Sequence, residues 1–190
     1  MRILKPETET QVVNAIADAF VARTPLCVEG NGTKRTLGHP VQADAVLKLS
    51  GLTGITMYEP DEMVFTARAG TPLVEIEAAL AARNQMLAFE PAGTNATIGG
   101  VIAAAVSGPR RYAAGAARDH LLGFTAVNGM GERFKAGGRV VKNVTGYDLP
   151  KLAAGSFGTL FAMTELTLRA LPRTATCFLA LEGLDPGPAL

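Results

Sequence analysis

The chain has 190 residues, with 18 lysines and arginines against 17 aspartates and glutamates and a formal net charge of +1. That balance excludes the basic footprint of a nucleic-acid binder and strong attraction to an anionic membrane surface, and the length supports one sizeable core without a disulfide scaffold. Cys27 and Cys177 stand far apart in apolar runs, as buried free thiols of a reducing compartment do. The longest uninterrupted apolar run, residues 101–106, is far short of the roughly 20 residues of a membrane span, and the N-terminus turns polar before a signal sequence could form. The chain reads as a soluble, cytoplasmic protein. Of its 21 glycines, eleven fall between Gly93 and Gly146, so that stretch of backbone must turn sharply or approach something closely.

Residues 8–23 place Val12, Val13, Ile16, Ala19 and Phe20 on one side of a 3.6-residue period, with Thr8 and Gln11 as a capping box, which predicts an amphipathic helix. Pro25 stops it, Leu26–Glu29 reads as a short strand, and Gly30 to Arg35 turns the chain. Residues 46–50 form a second strand candidate. Residues 64–69 alternate as a half-buried strand, and Thr71-Pro72 reads as an N-cap followed by proline at the first helical position. Leu73, Ile76, Ala79 and Leu80 then stripe a helix running to about Arg83. Further strands are expected at 122–128, 132–136 and 159–171, the first two joined around Asn128-Gly129, a hairpin signal.

Three segments carry candidate chemistry. In residues 28–36, VEGNGTKRT, Gly30 and Gly32 allow backbone N–H groups to converge on an anion, and Lys34 adds a cation. This is neither a P-loop nor the dinucleotide fingerprint, since Arg35 stands where the third glycine would be. An ordinary strand-to-loop turn accounts for the same residues. In residues 91–111, Gly99-Gly100 precede the small-residue run 101–106, predicted to be a short helix whose bare start would favour an anion. Tight helix–sheet packing is the alternative. Residues 137–172 read as an apolar strand, a turn at Gly146-Tyr147-Asp148 and a second strand ending at Pro172. A Tyr–Asp pair in such a turn serves more often as a hydrogen-bonding device than as a catalytic pair.

Taken in order, YEPDE, AGTPLVEIEAAL, ATIGG, SGPRR, RDHLLG, the glycines at 137–138, VVKNVTGYDL and GSFGTL with TEL resemble one known pattern. It is that of the FAD-binding domain of the vanillyl-alcohol oxidase / p-cresol methylhydroxylase (PCMH) superfamily, and within it the FAD-binding subunits of bacterial glycolate oxidases. The resemblance covers residues 26–172, with SGPRR and KNVTGYDL its most specific parts. It implies an α+β fold: a two-lobed PCMH-type domain over residues 1–172, with a small α/β lobe at about 1–56 and a larger lobe at 57–172 built on a mainly antiparallel sheet. Residues 173–190 would begin a substrate or cap domain. By the same resemblance Gly30, Asn31, Gly32, Thr33 and Lys34 cradle the pyrophosphate. Pro91, Thr97, Ile98, Gly99 and Gly100 contact pyrophosphate or flavin, Ser107, Gly108 and Arg118 approach the cofactor, and Gly158 and Ala162 lie near the adenine. Two departures from the pattern are Phe161, where the family has glycine, and Met163, where it has a branched residue.

The activity implied is that of an FAD-dependent oxidoreductase component in which hydride passes from a 2-hydroxy acid such as glycolate to the flavin. The alternative is a non-catalytic FAD-binding or assembly module. Partners implied are a second flavin subunit and an iron–sulfur subunit, which would place the chain in the cytoplasm or bring it to the inner membrane. No histidine sits in the pyrophosphate turn, so the FAD is expected to be non-covalent. His39 and His120 are given no catalytic role, and no metal constellation is legible. Catalytic groups are not identified; Arg110 and Arg111 are the candidates on the substrate side. The acidic pairs Asp61-Glu62 and Glu75/Glu77 read as a solvated face.

Overall fold

A computed structural model describes residues 2–91, 95–138 and 146–175. The first layer comprises β1 (Arg2–Leu4), α1 (Glu9–Val21), β2 (Leu26–Glu29) and β3 (Ala45–Lys48). Its strands are parallel in the order β1-β3-β2, with Ala45 opposite both Arg2 and Leu26. Thr8 starts α1 as expected: its Oγ1 accepts from the Gln11 N–H at 3.2 Å, and the Gln11 carbonyl oxygen accepts from the Glu7 N–H at 2.7 Å. Val12 and Ile16 bury that helix against Leu47, Leu49, Leu52, Val127 and Ala162, joining this parallel sheet to the five-stranded antiparallel one. Phe20, expected on the same stripe, is instead exposed, because the chain must leave the core there to reach Pro25.

The second layer continues with β4 (Ile55–Glu59), β5 (Val64–Arg68), α2 (Leu73–Ala81), β6 (Gln85–Met86), α3 (Ile98–Ala103), α4 (Arg111–Ala114) and α5 (Ala117–His120). It closes with β7 (Leu121–Asn128), β8 (Arg133–Gly137), α6 (Leu149–Ala153), β9 (Phe161–Arg169) and β10 (Leu171–Pro172). The sheet is antiparallel in the order β4-β5-β9-β7-β8. One face carries the main core, where Phe65, Leu166 and Leu168 pack with Ile76 and Leu80 of α2 and Ile98 and Ile102 of α3. This is the α+β architecture that the sequence implies. Among the described residues no helix is long and apolar enough to cross a membrane.

Several local expectations are corrected. The strand expected at 46–50 ends at Lys48 because Leu49–Gly51 closes into a 3₁₀ turn. Thr71 does not cap α2; its hydroxyl donates to Arg68 O at 2.7 Å and accepts from Gly54 N at 3.0 Å, leaving Pro72 at the cap position and the helix ending at Ala81. The β7–β8 turn is longer than an Asn-Gly pair. Asn128 Oδ1 accepts from the N–H groups of Met130 and Glu132, and the positive φ of +84° falls on Gly131. The strand expected at 159–171 is broken after Arg169, where Ala170 N donates to Met63 O and Leu171–Pro172 pairs with β6. β1 was not foreseen, because three residues give no measurable period. The apolar strand expected after residue 137 and Cys177 lie outside the described residues. In the 146–148 turn, Asp148 Oδ1 accepts from Lys151 N at 3.2 Å and starts α6, the hydrogen-bonding role expected of it.

His120 is fully buried where α5 meets β7, with Nε2 2.8 Å from Ala114 O and Nδ1 without a partner among the described residues. Burial holds its imidazole below the ordinary value of 6.5, against the opposing pull of the Ala114 carbonyl, with Arg169 adding to the downward shift and Asp119 opposing it. The unfolded chain therefore takes up a proton near pH 6.5 that the folded chain refuses, so stability present at neutral pH is lost as the pH falls below that value. The urea midpoint is expected to drop between about pH 7 and about pH 5, and His120→Gln to flatten that slope. A slope unchanged by the substitution would assign the acid sensitivity elsewhere.

Candidate functional site

The strand β2 delivers Gly30 to the N-terminus of α3. A Cβ on Gly30 would lie 2.1 Å from Thr97 Oγ1, so any other residue here requires the Thr97 side chain, the turn or the helix to move. Asn31 fastens the same approach, its Nδ2 donating to the main-chain and side-chain oxygens of Asn95 at 3.2 and 3.1 Å. Gly32 takes a positive φ of +71°. Among the described residues, the N–H groups of Asn31, Gly32, Thr33 and Lys34 have no protein acceptor, and the Lys34 ammonium reaches only Thr33 Oγ1, at 3.0 Å.

Charge at this turn is arranged by its neighbours. The carboxylate of Glu29 is nearly buried at the end of β2 and would repel an anion, but Arg35 grips it with a two-pronged pair at 2.7 and 2.8 Å. Arg35, the residue that breaks the glycine fingerprint, thus cancels Glu29 and leaves the charge of Lys34 uncompensated. Cys27, expected to be buried, is half-buried beside them. Its thiol is pushed above its ordinary value, first by burial and then by Glu29, with Arg35 opposing, so it stays protonated at neutral pH.

The start of α3 departs from expectation. The helix begins at Ile98, so Gly99 and Gly100 lie within its first turn rather than before it. Nor is that start bare: Ile98 N donates to Thr71 O at 3.0 Å, Gly99 N to Ala69 O at 2.9 Å, and Gly100 N to the Thr97 side chain at 3.4 Å. Gly99 serves close packing, since a Cβ there would sit 2.7 Å from Ala69 Cβ. At Gly100 an added Cβ would meet only Thr97 Oγ1, at 3.2 Å, and its open side faces a cavity.

That cavity has a volume of about 350 Å³, within the range of small-molecule and cofactor sites. It brings together Gly30, Asn31, Gly32, Thr33 and Lys34 with Thr97, Gly99, Gly100 and Gly158. Its inner wall is apolar, made by Val46, Leu49, Ala69, Ala103, Phe161 and Met163. Phe161 and Met163 stand out in the sequence only as departures from the family pattern, and Val46, Leu49, Ala69 and Ala103 read as ordinary core until the fold brings them together. His39, set aside as a loop residue, also lies on the rim. Six candidates lie off the cavity. Ile98 is wholly buried beneath it, and Ala162 is buried on the α1 side of β9. Pro91 is half-buried and Arg118 exposed on α5. Ser107 Oγ accepts from Ala117 N at 2.9 Å, and a Cβ on Gly108 would strike Glu90 O at 2.1 Å, so both hold the 88–90 segment against the helices. Arg110 is committed to Glu90 Oε1 at 2.8 Å and Met86 Sδ at 3.4 Å, while the Arg111 guanidinium lies 5.7 Å from the Tyr112 ring. Asp61, Glu62, Glu75 and Glu77 are exposed. Among the described residues no cluster of His, Cys, Asp or Glu is arranged to hold a metal.

Residues 2–137 match the family model described as FAD binding domain. The chain belongs to this family. Glycolate oxidase subunit GlcE of Escherichia coli (strain K12) is 46% identical over 165 residues, covering 86% of this chain and 46% of that protein. D-lactate dehydrogenase of Archaeoglobus fulgidus is 30% identical over 172 residues, 90% of this chain and 39% of that protein. Glycolate oxidase subunit GlcD of Bacillus subtilis (strain 168) is 26% identical over 176 residues, 92% and 37%. The chain thus spans less than half the length of these curated relatives. Among solved structures, alkyldihydroxyacetonephosphate synthase superposes with a TM-score of 0.73 at 19% identity, covering 90% of this chain and 31% of that one, and shares the fold.

The Gly30–Thr97 contact in this FAD-binding domain is open to a direct check. Gly30→Ala is expected to cost about 1–3 kcal/mol of folding stability through overpacking. In a Thr97→Ala background, where the clashing oxygen is gone, the added cost should shrink. Urea unfolding of the four proteins of the cycle measures the coupling; additive costs would mean that the two elements do not press on each other.

Proposed function

We propose that this chain is the FAD-binding part of a flavin-dependent oxidoreductase acting on a 2-hydroxy acid such as glycolate. The observation that carries the cofactor reading is the set of unpartnered amides from Asn31 to Lys34, beside an uncompensated lysine, across a cavity from Gly100. These residues fit a diphosphate: four successive N–H groups without an acceptor among the described residues, and one cation on the same turn. The apolar wall fits a flat ring. In this reading Asn31, Gly32, Thr33 and Lys34 hold the diphosphate, Gly30, Thr97, Ile98 and Gly99 fix the distance between the two walls, and Gly100 and Gly158 admit the cofactor closely. Ala162 backs β9. Pro91, Ser107, Gly108 and Arg118 belong to the side toward which the isoalloxazine extends. The two lobes are residues 1–56 and 57–172, and residues 173–190 open a further domain.

Bound FAD supplies hydride acceptance from the carbon bearing the substrate hydroxyl. The chain's own residues bind and orient it: the turn after β2 neutralises the diphosphate, and the wall formed by β9 and α3 excludes water. A general base and a group to hold the substrate carboxylate are still needed, and Arg110 is already paired with Glu90; those groups come from outside this cavity. The substrate class is supported by relatives named as glycolate oxidase subunits and a D-lactate dehydrogenase. The subunit names also support partners, taken here as a second flavin subunit and an iron–sulfur subunit. The cofactor is non-covalent, since no histidine stands among Gly30 to Lys34.

The purified chain is expected to be yellow and to release its flavin on acid precipitation, and to lose absorbance near 450 nm with glycolate or D-lactate in the absence of oxygen once the protein segments or subunits that complete the site are supplied. Yellow protein that never bleaches would favour the binding-module alternative, and colourless protein that cannot be reconstituted would sink both. Lys34→Gln is expected to weaken FAD binding about tenfold, the scale of one charge-assisted hydrogen bond, and to reduce the salt dependence of affinity. Unchanged affinity would remove Lys34 from the diphosphate site.

A further inference from the structure

The turn after β2 carries two cations, Lys34 and Arg35, and the glutamate that ends the strand lies just before them. The fold treats the two cations differently. Arg35 lays its planar fork on both carboxylate oxygens of Glu29, at 2.7 and 2.8 Å, whereas the Lys34 ammonium reaches only the Thr33 hydroxyl. A guanidinium matches a carboxylate in two parallel hydrogen bonds and an ammonium does not, so the choice of partner follows from the residue types.

The pair lies directly against the backbone of the turn. A Cβ on Gly32 would stand 3.2 Å from Arg35 Nε and 3.4 Å from Glu29 Oε2, which sets the carboxylate beside the N–H groups that have no acceptor. The Glu29 side chain is only 9% exposed, so water screens its charge poorly, while that of Arg35 is 61% exposed. Both residues border the cavity, and among the described residues Arg35 is the one side chain that hydrogen-bonds the Glu29 carboxylate. Cys27, two residues earlier on the same strand, feels the same two charges: burial first and Glu29 second push its thiol up, and Arg35 draws it down.

We propose that Arg35 is a positioning residue of the anion site that works through Glu29, occupying a carboxylate that would otherwise repel the diphosphate and capture Lys34. The inference rests on the reading of the cavity as the FAD site. With Arg35 in place, the three charged side chains sum to a single positive charge, and it resides on Lys34. Without Arg35, the turn's remaining cation is Lys34, and pairing with Glu29 would leave the amides with no free charge beside them. A like charge held next to an anion and away from water weakens binding far more than one at the surface. Arg35 does this work without touching the cofactor, because its fork is already engaged. An arginine at the position where the dinucleotide fingerprint has its third glycine thus compensates the glutamate that ends β2.

The test titrates flavin-free protein with FAD by calorimetry at two salt concentrations, in the wild type, Arg35→Gln, Glu29→Gln and the double variant. Arg35→Gln is expected to weaken FAD by about tenfold or more and to flatten the dependence of affinity on salt, as an unmasked like charge does. Glu29→Gln should bind at least as tightly as wild type, and the double variant should return to within about threefold of it, because the charge that Arg35 compensates is gone. The unliganded proteins give a second readout. In a Cys177→Ser background, the pH midpoint for alkylation of Cys27 by iodoacetamide should rise in Arg35→Gln and fall in Glu29→Gln.

A double variant as weak as Arg35→Gln would mean that Arg35 grips the cofactor itself. Weaker binding in Glu29→Gln would mean that the pair only keeps the shape of the turn, and this outcome decides the matter even if Arg35→Gln does not fold. Either result overturns the proposal, as does unchanged affinity in Arg35→Gln or a Cys27 midpoint indifferent to both substitutions. Wild-type protein that takes up no FAD would bring down the cofactor reading, and this inference with it.

Discussion

The distance between the turn after β2 and the first turn of α3 governs the site. It is set by contact between Gly30 and Thr97, in a place where a single methyl group would overlap an oxygen at 2.1 Å. Gly99 on Ala69, 2.7 Å from an added Cβ, seats α3 on the end of β5 in the same way, while Gly158 approaches Val28 more loosely, at 3.2 Å, where the turn before β9 meets β2. Protein interiors are close-packed, so walls held this way do not adjust to a larger residue without opening the cavity they bound. The Gly30 and Gly158 contacts join β2 of the parallel sheet to α3 and to the turn before β9, and the cluster of Val12, Ile16, Leu47, Val127 and Ala162 ties the parallel sheet to the antiparallel one from α1.

Electrostatics at this seam is local rather than global. A chain of formal net charge +1 has no long-range field to attract an anion. The positive character of the turn comes from how its charges are paired: Glu29 is consumed by Arg35, and Lys34 is left over. The helix contributes less than its position promises. With Ile98 and Gly99 amides donating to Thr71 and Ala69, α3 offers the cavity shape and the Thr97 cap but not the free N–H groups of an open helix end. The anion-binding character therefore rests on the β2 turn alone.

What the sequence made legible follows from the range of the forces involved. The cap of α1 at Thr8, the burial of Leu73, Ile76 and Leu80 and the role of Asp148 are decided within a few residues, and local pattern finds them. Of the antiparallel sheet, β5, β7, β8 and β9 are legible as strands; β4 is not, and neither is the order β4-β5-β9-β7-β8, which depends on which edges meet. Thr71 was misread because its hydroxyl goes to Gly54, 17 residues back, and the helix start was misread because its acceptors lie on the far side of α2. The site divides likewise. Glycines at 30, 32, 99 and 100 advertise themselves, and Phe161 and Met163 stand out as departures from the family pattern, but Glu29 and the aliphatic wall of Val46, Leu49, Ala69 and Ala103 carry no local mark. Their roles exist only once β2, α3 and β9 enclose one volume.

The composition of that volume bears on where the chemistry lies in the proposed reading. Its inner wall is aliphatic and aromatic, its one thiol is held protonated, and its one buried carboxylate is neutralised by a guanidinium. A base working there would have to be desolvated beside a diphosphate, which disfavours the protonated cation least and the carboxylate most. Such a surface is suited to holding a cofactor still and dry. In the proposed reading, the groups that move the substrate's proton are better placed at the other end of the dinucleotide, where solvent and a second layer of protein can share the charge, and this cavity is left to the binding of the cofactor.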